Sequence, residues 1–367
     1  MQATPLHSKH QSLNAKLVDF AGWDMPLHYG SQIQEHHAVR QKAGVFDVSH
    51  MGVIDITGTN ASSLLHYALA NNIDKLSINN KGLYSCLLNP QGGIIDDLIV
   101  YRIDPTHYRL VINAAGRETD LNWIRQLNQI FDATITPRFD LCILAIQGPE
   151  ARHILTPYLG KDILNLKRFH CLHQNDSTIA RTGYTGEDGL ECILPTKAAE
   201  DLWDFCIEHG IRPCGLGCRD SLRLEAGLNL YGTDMTTDTS PLTSNLKWTV
   251  CFKDETRDFV GKSALITEQN RGLKQQLCGV TMTTPGVLRC HQDIYADGEK
   301  IGEITSGGFS PSLGHAIGMA RLPIATPSEL YIDRRGKKIP ILPHTLPFTK
   351  AGEYQSTQGE SNANTMP

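Results

Sequence analysis

The sequence predicts an α+β protein that closes with a separate all-β domain. Strand-like and helix-like stretches mix through the first two thirds of the chain without the βαβ rhythm of a doubly wound sheet. From about 275 onward the text changes to short strands and turns, with five of the 18 prolines between 323 and 347, as in a barrel or sandwich. Over 367 residues, of which 40% are hydrophobic and 20% charged, there is enough apolar surface for two or three domains.

The elements follow in order. Residues 1–50 hold one helical segment, Ser31 to Lys42, where Ser31 and Gln34 have the form of a capping box. A strand from Val53 to Thr57 precedes Thr59 to Ala70, whose Leu64, Leu65, Ala68 and Leu69 recur at helical spacing. Residues 83–113 read as a three-stranded meander, Leu83–Leu88, Ile94–Ile103 and Tyr108–Asn113, joined by the turns 89–93 and 104–107. A helix from about Glu118 to Phe131 and a strand from Leu141 to Ile146 come next. A hairpin over 178–194 is punctuated by Gly183, Gly186 and Gly189. Thr196 can cap a helix to His209, and Arg219 to Leu230 reads as another. Residues 351–367 are polar and without periodicity, the composition of a disordered tail.

Composition excludes several classes. A net charge of -5 supplies no broad basic surface for nucleic acid. No apolar stretch reaches the length of a membrane span, and the N-terminus lacks the charged start and apolar middle of a signal peptide. Ten cysteines, several inside apolar runs (Cys86, Cys142, Cys192, Cys251, Cys278), read as buried thiols in a reducing compartment, so the expected location is the cytoplasm. Cys214-x3-Cys218 and His170-Cys171-x-His173 match no usual zinc spacing, and no metal is expected.

Three segments carry chemistry. In Gly92-Gly93-Ile94-Ile95-Asp96-Asp97-Leu98 two adjacent carboxylates interrupt a strand that is apolar on both faces, so one of them points inward. A buried carboxylate needs hydrogen bonds, a pair or a cationic ligand, unless a bulge or an open sheet leaves both solvated. Counting pairs outward from the 89–93 turn places Asp96 on the face of Tyr84 and Asn113, whereas a single bulge places Asp97 there. The glycine-rich Arg181–Glu191 segment matches no phosphate-binding fingerprint; it is either a tight hairpin or a close approach that brings Tyr184 and Glu191 to a flat heterocycle. Arg219 and Arg223 stand one helical turn apart, where like charges repel unless an acid such as Asp220 or Glu225, or a ligand carboxylate, lies between them.

These segments stand among other ordered blocks: Asp19-Phe20-Ala21-Gly22-Trp23, Phe46 to Met51, Gln147-Gly148-Pro149, Asp258 to Lys262 and Ile304 to Pro311. Together the chain closely resembles the aminomethyltransferase family, the T-protein of the glycine cleavage system. The resemblance implies a three-domain cloverleaf around a central folate channel, with a C-terminal β-barrel or jelly-roll-like domain. The expected boundaries are 1–50 with 141–230, 51–140 with about 231–265, and 266–350, ahead of the 351–367 tail.

The implied reaction moves the one-carbon unit from the aminomethylated dihydrolipoyl arm of a carrier protein to tetrahydrofolate, releasing ammonia and forming 5,10-methylenetetrahydrofolate. The implied partners are that lipoylated carrier (H-protein), with functional links to a pyridoxal-phosphate glycine decarboxylase and a dihydrolipoyl dehydrogenase. The resemblance carries over the catalytic role to Asp97, and coenzyme binding to Tyr84, Asn113, Tyr184, Glu191, Arg219, Met51 and Trp248. The alternative within the wider family is a folate-dependent demethylase of a methylated small molecule. A non-catalytic iron–sulfur assembly relative would carry Lys-Gly-Cys-Tyr where this chain reads Arg181-Thr182-Gly183-Tyr184.

Overall fold

The computed structural model describes residues 1–76 and 80–351 in full and 353–354 by backbone alone. Two sheets form the body. One has six strands in the order Cys171–Gln174, Ser177–Ala180, Gly189–Pro195, Leu141–Gln147, Gly44–Asp47 and Arg212–Pro213. The other has five, in the order Gly82–Leu88, Ile94–Asp104, His107–Ile112, Gly52–Thr57 and Thr134–Pro137. Each sheet is buried on both faces, which is why Leu141–Gln147 has no exposed residue.

On its outer face the six-stranded sheet carries the helices Ala151–Leu159 and Thr196–Glu208, packed through Leu155, Leu202 and Trp203. The five-stranded sheet carries Ala61–Ala68 and Arg117–Asn128, packed through Leu64, Leu65 and Ile124. The inner faces meet along a seam in which Val53 and Tyr101 of one sheet touch Phe46, Ile143, Ala145 and Ile193 of the other. The third unit is a closed six-stranded barrel from Gln275 to His344, filled by Val280, Ile294, Ile304, Leu322 and Ile332. The α+β class and the C-terminal all-β domain agree with the sequence pattern.

Several local readings need correction. The first 50 residues hold two helices, because His7–Ser12 precedes Gln32–Gln41. The Ser31 cap is present, its hydroxyl accepting from the Gln34 N–H at 3.4 Å. Thr196 opens its helix but does not cap it, since its hydroxyl donates to the Asp140 carbonyl instead. The helix expected from Arg219 to Leu230 runs from Leu216 to Glu225, ended by the positive-φ Gly227. Within the end expected to be disordered, 351–367, Glu353–Tyr354 forms a strand that pairs with Thr349–Lys350. Residues 355–367 lie outside the described residues.

The helix Leu216–Glu225 docks the barrel. Arg223 is buried and reaches Asp220, Asp234 and the Ser306 hydroxyl, each at 2.9 Å. Glu225, fully buried, accepts from Ser310 at 2.5 Å, from the Ser312 hydroxyl and N–H, and from Arg40 at 2.8 Å. Burial alone would raise the Glu225 carboxyl, but His36, Arg40 and Ser310 hold it down to about 2. Because that lies below its ordinary 4.5, the stabilisation is complete above about pH 4.5 and is lost as the pH falls through about 2. The shift corresponds to roughly 3 kcal/mol. The gap in melting temperature between wild type and Glu225→Gln should therefore close as the pH is lowered across that window; a gap independent of pH would show that Glu225 is not held ionised by its neighbours.

Candidate active site

The site begins with a bulge. Leu88 pairs with Ile94, as counting from the turn requires, but Leu87 pairs with Asp96, which leaves Ile95 as the extra residue. The turn that feeds it is held by the Asn89 side chain, which accepts from the N–H groups of Gln91 and Gly93, both at 2.9 Å. Gly92 has φ +83, and a Cβ on Gly93 would fall 1.7 Å from the Thr237 carbonyl, so neither position takes a side chain. The Ile94 N–H leaves the hairpin ladder and donates to the carbonyls of Thr236 and Thr239.

Past the bulge the register differs by one from the simple count: Tyr84 opposes Ile99, Cys86 opposes Asp97, and Ile112 opposes Leu98. Asp97, not Asp96, therefore shares a face with Tyr84 and Asn113. The Tyr84 hydroxyl donates to Asp97 Oδ2 at 2.5 Å, and Asn113 Nδ2 donates to Asp97 Oδ1 at 2.9 Å and to Asp96 Oδ1 at 2.8 Å. Burial, followed by the neighbouring Asp96 charge, pushes the Asp97 carboxyl up to about 7. A carboxyl with that affinity can hold or release a proton near neutrality.

The opposite wall comes from the six-stranded sheet and the docking helix. The expected hairpin is antiparallel but not tight: residues 181–188 form an irregular loop clamped by Arg181 on Asp188 at 2.7 and 3.0 Å. This loop presents Tyr184, whose hydroxyl donates to the Asn229 carbonyl, so that its ring faces are what remain for packing. The Arg219 guanidinium lies 4.6 Å over that ring. Of the two arginines one turn apart, Arg223 takes Asp220; Arg219 has no hydrogen-bond or ion-pair partner among the described residues. Burial holds its pKa below the usual value, with Tyr184 and Glu191 as the nearest compensating groups. An unpaired, desolvated guanidinium is a site waiting for an anionic or polar group.

Glu191 accepts from the Thr182 hydroxyl at 2.6 Å through Oε2, while Oε1 has no partner among the described residues. Met51 packs at the seam with Tyr101. Trp248 is 56% exposed and stacks on Tyr84 with ring centroids 5.4 Å apart, extending an aromatic platform to the surface. Asp97, Tyr84, Asn113 and Trp248 thus form one contact cluster, and Tyr184 with Arg219 a second. The Asp97 charge is among the causes that raise the Tyr184 hydroxyl, so the two clusters lie within electrostatic reach of each other. A flat ring with N–H donors and an anionic or polar tail fits these residues.

Two nearby residues, His50 and Asp120, escaped the sequence reading. His50 is buried with Nδ1 unpartnered, and burial and then Arg219 lower it to about 4, so it is neutral. Asp120 is buried beside Asp96, and its place four residues before the buried Ile124 was the available signal, an acid on an apolar helix face. Cys214 and Cys218 do not stand alone, since they meet Glu35 in a buried cluster. The Glu35 carboxylate there accepts from the N–H groups of Tyr29 and Gly215, and burial raises the Cys218 thiol well above its ordinary value.

Residues 6–254 match the family model of the GCVT N-terminal domain, and residues 275–350 that of the glycine cleavage T-protein C-terminal barrel domain. An aminomethyltransferase of Xanthomonas axonopodis pv. citri is 48% identical over 364 residues, 96% of this chain and 98% of its own. One of Legionella pneumophila is 46% identical over 354 residues, with coverage of 95% and 98%. The crystal structure of glycine cleavage system aminomethyltransferase T from Bartonella henselae superposes with a TM-score of 0.91 at 35% identity, covering 96% of this chain and 99% of that one. Fold and likeness define an enzyme of the transferase class. The chain belongs to the glycine cleavage T-protein family.

Arg219→Met should melt at or above the wild-type temperature, because it removes a desolvated cation that forms no ion pair among the described residues. Arg223→Met should lose stability, on the order of 3–5 kcal/mol, because it leaves Asp234 as a buried charge without its cation. Equal losses in the two variants, compared by thermal and urea melts, would contradict this division.

Proposed function

We infer that this protein is the aminomethyltransferase of a glycine cleavage system, with tetrahydrofolate as co-substrate and a lipoylated carrier protein as partner. The observation that carries the reading is Asp97, held by Tyr84 and Asn113 with a proton affinity near neutrality, beside an Arg219 that no acid of the described residues answers. Relatives named aminomethyltransferase over nearly the whole chain favour this reading over the small-molecule demethylase.

Each residue then has a role. Tetrahydrofolate supplies the nucleophilic ring nitrogens that accept the one-carbon unit. Tyr84, Trp248, Tyr184 and Met51 provide the packing surface for its flat ring, and Asn113 fixes the edge next to Asp97. Glu191 offers its unspent oxygen to ring N–H donors, and Arg219 offers its unspent donors to a polar or anionic group. Asp97 orients the acceptor nitrogen and, when ionised, stabilises the positive charge that grows as ammonia leaves the carrier arm. The seam between the sheets excludes water from that step. No metal is needed for this chemistry. The partners are the carrier, the glycine decarboxylase that loads it and the dihydrolipoyl dehydrogenase that reoxidises it.

Among the described residues no helix is long and apolar enough to cross a membrane, and all ten cysteines are free. Free thiols, most of them buried, support the cytoplasm as the location.

The direct test supplies the purified protein with tetrahydrofolate and aminomethylated carrier and scores ammonia together with 5,10-methylenetetrahydrofolate. Absence of both products, with a small methylated donor consumed instead, would replace this reading with the demethylase. Within the same assay Asp97→Asn should lower turnover by about 10²-fold or more while folate binding largely holds, and Asp96→Asn should lose less. Glu191→Ala and Arg219→Ala should instead weaken tetrahydrofolate binding, by roughly 2–5 kcal/mol each in a binding titration. Unchanged dissociation constants for both would return these two side chains to purely structural roles.

A further inference from the structure

We propose that Asp120 is a positioning residue for the transfer reaction: a neutral carboxylic acid that donates its proton to Asp96 and, through Asp96 and Asn113, fixes the charge state of Asp97. The proposal rests on the reading of Asp97 as the catalytic carboxyl.

The geometry starts from the two faces of one strand. Asp97 looks into the seam between the sheets, so Asp96 must look the other way, into the helical layer behind the five-stranded sheet. There it meets Asp120, which lies in the first turns of the helix Arg117–Asn128 and is fully buried. Asp96 accepts from the Asn113 N–H at 3.2 Å and from Asn113 Nδ2 at 2.8 Å. Neither Asp120 oxygen receives a hydrogen bond from any N–H or O–H group of the described residues, and both are sealed from water. The neighbour within bonding reach is the Asp96 carboxyl. Two carboxyl groups in that position are stable only if one keeps a proton and donates it to the other.

Gly116 makes the approach possible. A Cβ built there would lie 2.8 Å from Asp96 Oδ2 and 2.9 Å from Asp120 Oδ2, so both oxygens crowd one point that only a glycine leaves open. Burial first, and then the bond to Asp96, push the Asp120 carboxyl up to about 10. Asp120 is therefore the member of the pair that stays neutral.

The effect reaches the reaction through Asn113, whose Nδ2 touches Asp96 and Asp97 together. With Asp120 donating, Asp96 is held as the anion, and its charge is the second cause, after burial, that lifts Asp97 to about 7. The other titratable groups facing the cluster are Tyr84 and Cys86 on the adjacent strand, Tyr184 on the 181–188 loop and Tyr231. Burial raises all four, Tyr231 to about 12, so the carboxyls are what titrate near neutrality. Without the Asp120 donor, the negative charge behind the strand is less well stabilised and presses less on Asp97, which therefore ionises at lower pH.

Two measurements test this. In the transfer assay the acid limb of the kcat–pH profile should move down by about one pH unit in Asp120→Ala, with KM for tetrahydrofolate changed less than about twofold. In Asp120→Asn, whose amide still donates to Asp96, the limb should return close to the wild-type position. Infrared difference spectra of wild type minus Asp120→Asn at about pH 8.5, where Asp97 is ionised and Asp120 is not, should contain a protonated-carboxyl C=O band. The spectra need no turnover, so they report on the acid pair even if the transfer assay fails and the reading of Asp97 falls with it. A missing band overturns the shared proton. A band accompanied by an unmoved acid limb in Asp120→Ala overturns the positioning role.

Discussion

The molecule is organised by the need to answer three charges on one helix wedged between the body and the barrel. Arg219, Arg223 and Glu225 of Leu216–Glu225 all sit where water is scarce, and an unanswered charge in such a place costs more than almost any single contact returns. Glu225 is answered by His36 and Arg40 from the body and by Ser310 and Ser312 from the barrel. Arg223 is answered by Asp234, which is itself tied to Thr305 at 2.5 Å and Ser306 at 2.8 Å. Because the answering groups come from different units, satisfying the helix fixes the barrel against the two-sheet body. Arg219 is left over, and it is the one that opens toward Tyr184 and the site. Paired and unpaired charge are thus separated within two turns of one helix.

A second constraint acts at the level of one residue. The extra Ile95 decides which of two adjacent aspartates enters the seam, and it exists because the 89–93 turn and the 236–239 loop capture the start of the strand. Without it Asp96 would share the face of Tyr84, and a second irregularity, between Arg102 and Asp104, brings Asn113 to the face of Asp97 in the same way. Asn113 turns this alternation to use, since its amide reaches carboxyls on both faces. What happens in the helical layer can therefore be felt in the seam.

The division between what the residues disclose and what they conceal follows the range of the forces involved. The meander, its turns, the Ser31 cap and the barrel were legible because period-two alternation, turn chemistry and capping are local. The helix Ala151–Leu159 was hidden by Pro157 in its last turn, and Lys262–Arg271 by having Leu265 as its one buried residue. Residue types at the site were visible, and the family resemblance singled out Asp97, Arg219 and Glu191. Strand counting could not, because a bulge is set by tertiary hydrogen bonds that no window of sequence contains. The fate of the Arg219–Arg223 pair was equally hidden: Asp220 could have answered either, and only the fold assigns it to Arg223.

Burying three carboxyl groups within one strand and one helix turn would be prohibitive if all were ionised. The arrangement avoids that cost by giving each a different environment. Asp97 has a phenol and an amide as donors and a proton affinity near neutrality, Asp96 has two donations from Asn113, and Asp120 has no N–H or O–H donor among the described residues and stays neutral. Separation of proton affinities among like groups is how a single fold supplies both an acid and a base in one place. Here the separation is produced by the sheet itself: the face that looks into the seam receives the donors that leave Asp97 exchangeable, and the face that looks into the helices receives the acid that does not exchange. The Asp97 carboxyl is therefore backed by two acids on the far side of its strand, and the same alternation of side chains that builds the core separates the environments of the three.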